Sequence, residues 1–173
     1  MKRLVVACAC LVTVLWPAQA SASWFLGLGA GVVKSDSLEG TPATYTGQLG
    51  KVADEGIMGF ELDFGYANQT DAIGTRTFEA SLLVGPKVGR FRPYGSVGGG
   101  IIGAVTRFTD IFRVSGTRPN DPLASFGGGV FVDLSSKFGV RFDVRQMVDT
   151  KKPAGASSRF QFTRVTANVH LTF

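Results

Sequence analysis

The sequence predicts a single all-β domain: an eight-stranded antiparallel transmembrane up-and-down β-barrel, preceded by a cleaved signal peptide. Three observations carry that expectation. Segment after segment alternates large apolar residues with glycine or polar residues at a period of two, as strands with two unlike faces do. Beyond the leader there is no run of about 18 apolar residues, so a membrane-embedded chain would have to satisfy its backbone by closing a barrel. Short and long connections alternate between these segments, the pattern of barrels with tight turns at one end and loops at the other.

The leader comes first. Lys2 and Arg3 precede an apolar stretch over residues 4–16, and Ala18, Ala20 and Ala22 frame small-residue cleavage sites. Residues 1–22 are therefore expected to be a signal peptide, cut after Ala20 or Ala22, and residues 23–173 the barrel. The apolar stretch is short for a retained anchor. Both cysteines, Cys8 and Cys10, lie in this leader, so no disulfide is expected in the barrel. Cleavage at Cys8, as in a lipoprotein, would leave almost no apolar segment ahead of it. The 173 residues leave room for one domain, and only 18% are charged, with 23 Gly and 14 Phe. That charged fraction is below the roughly 25% typical of soluble domains.

The strands follow in order. Residues 24–34 set Leu26, Leu28, Ala30 and Val32 against Gly27, Gly29 and Gly31. Residues 43–52 form the weakest candidate. Residues 58–66 give the clearest alternation: Met58, Phe60, Leu62, Phe64 and Tyr66 on one face, Gly59, Glu61, Asp63 and Gly65 on the other. Residues 75–87 set Phe78, Ala80, Leu82 and Val84 against Thr77, Glu79 and Ser81. Residues 92–105 are so rich in glycine that their facing stays open. Residues 124–134 oppose Phe126, Val130 and Val132 to Ser125, Gly127, Gly129 and Asp133. Residues 139–145 oppose Val140, Phe142 and Val144 to Arg141, Asp143 and Arg145, and the last strand runs from Val165 to Phe173. Phe160 and Phe162 break phase with it, which predicts a bulge or a loop edge. Short turns are expected at residues 53–55, 89–91 and 135–137, and long loops at 34–42, 68–74, 106–121 and 149–158.

In a membrane barrel the apolar face looks outward to lipid and the polar face fills the lumen. A soluble ligand carrier of lipocalin type would have the reverse facing. On the membrane reading, Glu61, Asp63, Glu79, Asp133, Arg141, Asp143 and Arg145 share the lumen and should pair, since an unpaired buried charge is costly. A salt-bridged plug is the favoured outcome and a narrow porin-like channel the alternative, because eight strands leave room for little more than side chains. His170, the single histidine, is expected to be a satisfied lumenal residue, so no catalytic, cofactor or metal site is expected. Arg113, Arg118, Lys151, Lys152 and Arg159 fall in or beside the long loops, where they would meet lipopolysaccharide phosphates. Despite the net charge of +5, no nucleic-acid-binding motif is present. Trp24, Tyr66, Phe91, Tyr94, Phe108 and Phe138 fit aromatic girdles at the two membrane interfaces.

Residues 59–66 (Gly-Phe-Glu-Leu-Asp-Phe-Gly-Tyr), 88–94 running into Gly98-Gly99-Gly100, the hairpin from Gly127 to Arg145, and the closing His170-Leu171-Thr172-Phe173 resemble the small outer-membrane β-barrel family of OmpA transmembrane domains and OmpX-like proteins. The similarity spans nearly all of the expected mature chain. It implies a Gram-negative outer-membrane location and a structural or surface-interaction role, with a lipid-modifying enzyme as the alternative. It also implies a C-terminal signal for the outer-membrane assembly machinery, made of Val165, Val169, Leu171 and the final Phe173. Lipids and lipopolysaccharide are the other expected partners, and no cofactor is implied.

Overall fold

The computed structural model describes residues 22–35, 40–54, 57–70, 73–105, 121–150 and 161–173. Among the described residues there are eight strands: β1 (Ala22–Lys34), β2 (Ala43–Ala53), β3 (Met58–Thr70), β4 (Ile73–Val84), β5 (Phe91–Val105), β6 (Asp121–Asp133), β7 (Phe138–Asp149) and β8 (Gln161–Thr172). Each pairs antiparallel with its chain neighbour, and β8 returns to β1, so the sheet is closed. The expected leader lies outside the described residues except for Ala22, which opens β1.

Closure has a measurable stagger. The register leads from Trp24 through Lys51, Phe60, Leu82, Val97, Phe126, Gln146 and Thr163, and re-enters β1 at Lys34 rather than Trp24. With eight strands, that offset along β1 tilts them by about 40° to the barrel axis, within the usual range. Trp24 and Phe173 exchange backbone hydrogen bonds of 3.0 and 2.9 Å, which knits the chain's last residue to the first strand.

Period-two facing then decides everything else. Leu26, Leu28, Tyr45, Leu49, Leu62, Phe126, Phe142, Val165, Val169, Leu171 and Phe173 are all exposed on the outer wall. Glu61, Asp63, Glu79, Arg141, Asp143, Arg145, Asn168 and His170 are all buried in the lumen. A water-soluble exterior of this composition would carry a very large apolar patch; acyl chains are the medium that suits it. The alternation also settles β5: Arg92, Tyr94, Ser96 and Ile102 are buried, while Phe91, Val97 and Ile101 are exposed.

Three expectations are corrected. Tyr94 is no girdle residue; it shares parity with Arg92 and Ser96, is 7% exposed and points inward. Neither a bulge nor a loop edge separates Phe162 from Val165, because β8 pairs with β7 without a register break, Met147 opposite Phe162, while Phe160 lies outside the described residues. The Phe162 ring is buried with Val33, Ala67, Ile102, Leu123 and Met147 in an apolar layer at the loop end of the lumen. Residues 68–74 are not a long loop, since β3 reaches Thr70 and β4 begins at Ile73, with a register shift between Asn68 and Thr70.

At the other end the turns are tight. Val88 and Phe91 exchange backbone hydrogen bonds of 2.7 and 3.1 Å around Gly89, whose φ of 62° is open to glycine at little cost. Ser135 Oγ accepts from the backbone N–H of Phe138 at 3.1 Å, which stabilises the β6–β7 turn. Trp24, Phe91 and Phe138 are exposed near this end, and Trp24 packs edge-on against Phe60 with its ring 5.8 Å from Lys51 Nζ. An aromatic ring beside an amine suits the boundary between acyl chains and headgroups.

Candidate functional site

The i, i+2 spacing on β7 aims Arg141, Asp143 and Arg145 along one line into the lumen. The same spacing on β3 brings Glu61 and Asp63 to meet them. Arg141 Nη1 is hydrogen-bonded to Glu61 Oε2 and, at 3.2 Å, to Gln48 Oε1. Its Nη2 donates to Asp143 Oδ2 at 2.9 Å and its Nε to the Tyr94 hydroxyl at 2.6 Å. The guanidinium carbon also lies 4.8 Å from the Tyr94 ring centroid and 4.7 Å from that of Phe131. Every face of this cation is therefore engaged, by charge, hydrogen bond or π-system.

Arg145 is held as fully. Nε donates to Asp143 Oδ1 at 2.8 Å, Nη1 to Glu79 Oε1 at 2.7 Å, and Nη2 to Glu61 Oε1. Glu79 Oε1 in turn accepts from Ser125 Oγ at 2.6 Å and from Ser81 Oγ. Tyr94 donates its hydroxyl proton to Asp143. Arg164 Nη1 sits 2.8 Å from Asp63 Oδ1, and Gln48 Nε2 donates to Asp63 Oδ2 at 3.1 Å. Strands β2 to β8 all contribute to the network, whereas β1 faces it with Gly27, Gly29 and Gly31.

Glycine is needed where the long side chains cross. A Cβ on Gly65 would lie 2.5 Å from both Arg164 Nη1 and Thr77 Oγ1, and one on Gly129 would run first into the backbone oxygen of Phe142 and next into the Tyr94 hydroxyl at 2.6 Å. The plug and the glycines are thus one design: the wall gives up side chains where guanidinium and phenol must pass.

Six of the seven expected lumenal charges, Glu61, Asp63, Glu79, Arg141, Asp143 and Arg145, stand together. Asp133 stands apart at the turn end, where it pairs with Lys87 Nζ at 2.8 Å and lies 3.7 Å from His170 Nε2. Arg164, Tyr94, Gln48, Ser81 and Ser125 belong to the network and were not expected in it. Counting back by twos from His170 through Asn168 and Thr166 reaches Arg164, a signal that the aromatic Phe162 obscured. Beneath the charged layer, Phe25, Leu83, Tyr94 and Phe131 pack as a second apolar layer, with Phe25 and Phe131 edge-on at 5.4 Å. The five loop cations, Arg113, Arg118, Lys151, Lys152 and Arg159, and the ring of Phe108 lie outside the described residues.

Comparison with solved structures finds the same fold in three instructive cases. Neisserial surface protein A is 12% identical with a TM-score of 0.65, the alignment covering 91% of this chain and 100% of that one. The N-terminal β-barrel domain of Pseudomonas aeruginosa OprF is 15% identical with a TM-score of 0.58, covering 88% and 97%. The outer membrane enzyme PagL is 10% identical with a TM-score of 0.51, covering 84% and 97%. At these identities the likeness is one of fold, and a fold that serves an enzyme as well as a surface protein does not decide catalysis. Sequence comparison with curated proteins gives no match. The model for the outer membrane protein beta-barrel domain, however, matches residues 6–173, nearly the full length, so the chain belongs to that family and its place is the outer membrane.

Proposed function

We propose that this protein is a non-conducting outer-membrane barrel whose work is structural or directed at the cell surface through its loops, with no catalytic role. One observation carries the reading: the lumen is filled in three layers. Fully buried Arg141 and Arg145 are clamped by Glu61, Glu79 and Asp143, with apolar side chains packed above and below them. A pore of this width would need both apolar layers and the charged one to part together. The single histidine supports the non-enzymatic part, since His170 lies in the lumen beside Phe25 and Phe131, walled off from the acyl chains around the barrel. In this reading the basic residues Arg113, Arg118, Lys151, Lys152 and Arg159 meet lipopolysaccharide phosphates, where each charge-assisted contact adds affinity.

The test is electrical. Purified barrel in a planar bilayer is expected to give no steady current at neutral pH, whereas sustained single-channel steps from the unmodified protein would overturn the proposal. A separate expectation concerns assembly. Val165, Val169 and Leu171 line the outer face of β8 and Phe173 is exposed just past its end, and we assign these four the role of recognition stripe for the insertion machinery. Phe173→Ala is expected to lower the folded, heat-modifiable fraction in outer membranes several-fold while leaving detergent refolding of the purified chain intact. Equal losses in both assays would mean that Phe173 acts on stability instead.

A further inference from the structure

At the turn end the charged side chains of the described residues divide by direction. The carboxylates Asp54 and Asp133 are engaged at the mouth of the lumen: Asp54 accepts from Ser23 Oγ at 2.6 Å, and Asp133 pairs with Lys87 at 2.8 Å. Arg92 is held there too, donating to the backbone oxygens of Ala53 at 2.6 Å and Asp54 at 3.1 Å. Three further cations stand outside the mouth. Lys51 shares the outward parity of Leu49 on β2, and Arg90 and Lys137 are exposed in the β4–β5 and β6–β7 turns.

Each of these cations has large, exposed apolar neighbours in its own hairpin. Ile57 follows Lys51 across the β2–β3 turn, Val88 and Phe91 bracket Arg90, and Leu134 and Phe138 bracket Lys137. Ile57 and Val88 are 58% and 63% exposed and lie outside the eight strands. The same pairing of grease with positive charge in three turns describes a surface for the membrane boundary, where apolar groups reach acyl chains and the cation stays among phosphates. Short turns face the periplasm in this family of barrels, so the boundary is that of the inner leaflet. The charge sign then selects among its lipids. A phosphate already offset by the ammonium of its own headgroup gains less from an added cation than a phosphate without one, so the turns favour anionic over zwitterionic headgroups.

The best-defined point of this collar is at Trp24, whose ring is 5.8 Å from Lys51 Nζ and edge-on to Phe60 at 5.9 Å. A lipid glycerol backbone can rest against the indole there while its phosphate meets the ammonium. We propose that the periplasmic turns form a collar that binds anionic phospholipids of the inner leaflet, with Lys51 taking the headgroup phosphate beside Trp24. The collar acts from outside the ring of strands and is independent of whether the lumen conducts.

Trp16 and Trp24 are the chain's two tryptophans, so Trp16→Phe in the full chain leaves Trp24 as the single reporter. The test folds that protein into mixed vesicles of phosphatidylcholine and phosphatidylglycerol, with bromine on the acyl chains of one lipid or the other. Quenching of Trp24 is expected to give an association constant about fivefold higher for phosphatidylglycerol, the contribution of one lysine near an anionic lipid surface. Lys51→Gln is expected to bring the ratio close to one, Lys51→Arg to keep it, and high salt to shrink it. Equal quenching by the two brominated lipids at low salt would overturn the proposal. So would a preference for phosphatidylglycerol that survives Lys51→Gln in protein with native heat-modifiable migration.

Discussion

Arg141→Met is expected to destabilise the folded barrel by about 3–5 kcal/mol, the range found when one partner of a buried ion pair is removed. The reason lies in what the change leaves behind. Glu61 loses Nη1 and Nη2 of Arg141 and, among the described residues, keeps Arg145, while Asp143 keeps Arg145 and Tyr94. Methionine fills much of the volume and stays apolar, so the loss reports charge and hydrogen bonding more than packing. Urea unfolding in micelles, followed by heat-modifiable migration, measures it. Pairing the change with Glu61→Gln is expected to return a good part of the loss, because the uncompensated carboxylate goes with its partner. A loss below about 1 kcal/mol, the range of an exposed ion pair, would mean that water reaches the plug and screens it, and the three-layer lumen would have to be abandoned.

The same residues explain how far the sequence could be read. Alternation is a one-dimensional signal that survives folding unchanged, so β3, β4 and β7 declared both their strands and their facing, and Glu61, Asp63, Glu79, Arg141, Asp143 and Arg145 could be placed in the lumen by parity. Where one face lacks side chains the signal weakens. Residues 95–100 of β5 offer glycine at four positions on both faces, so the inward turn of Arg92 and Tyr94 was hidden. Amphipathic Tyr94 then fitted an interface as well as a lumen, and only its bonds to Arg141 and Asp143 decide between them. Phe162 misled for another reason. Lumenal layers are not uniformly polar, and an apolar lid above the plug puts a phenylalanine on the face that otherwise carries Arg164, Thr166 and Asn168. Position along the strand, which parity does not encode, sets the polarity of each layer. The separation of Asp133 from the other charges has the same origin: it shares their face and lies at a different height.

Leu62→Arg addresses the outer wall as Arg141→Met addresses the lumen, and it acts one residue away from Glu61. Leu62 is 50% exposed in the absence of lipid and is flanked across the sheet by Leu49 and Ala80, on the wall between the Phe60 and Phe64 levels of β3. A guanidinium there would stand among acyl chains with no carboxylate on its face, since Glu61 and Asp63 point inward. Arginine near the midplane of a lipid-facing barrel strand costs roughly 2–4 kcal/mol, falling towards about 0–1 near the interfaces. The expected result is a loss of about 2–4 kcal/mol for Leu62→Arg in bilayers, a much smaller loss for Lys51→Arg at the Trp24 boundary, and a modest loss for Leu62→Ala, which keeps the face apolar. Reversible folding into large vesicles across a denaturant series measures all three. In a soluble barrel of inverse facing, Leu62 would be a core residue, and Leu62→Ala would be the damaging change through its cavity. The rank order of arginine and alanine at this one position therefore separates a lipid-facing wall from a hidden core, and near-neutral arginine there would remove the physical ground for calling this wall a membrane surface.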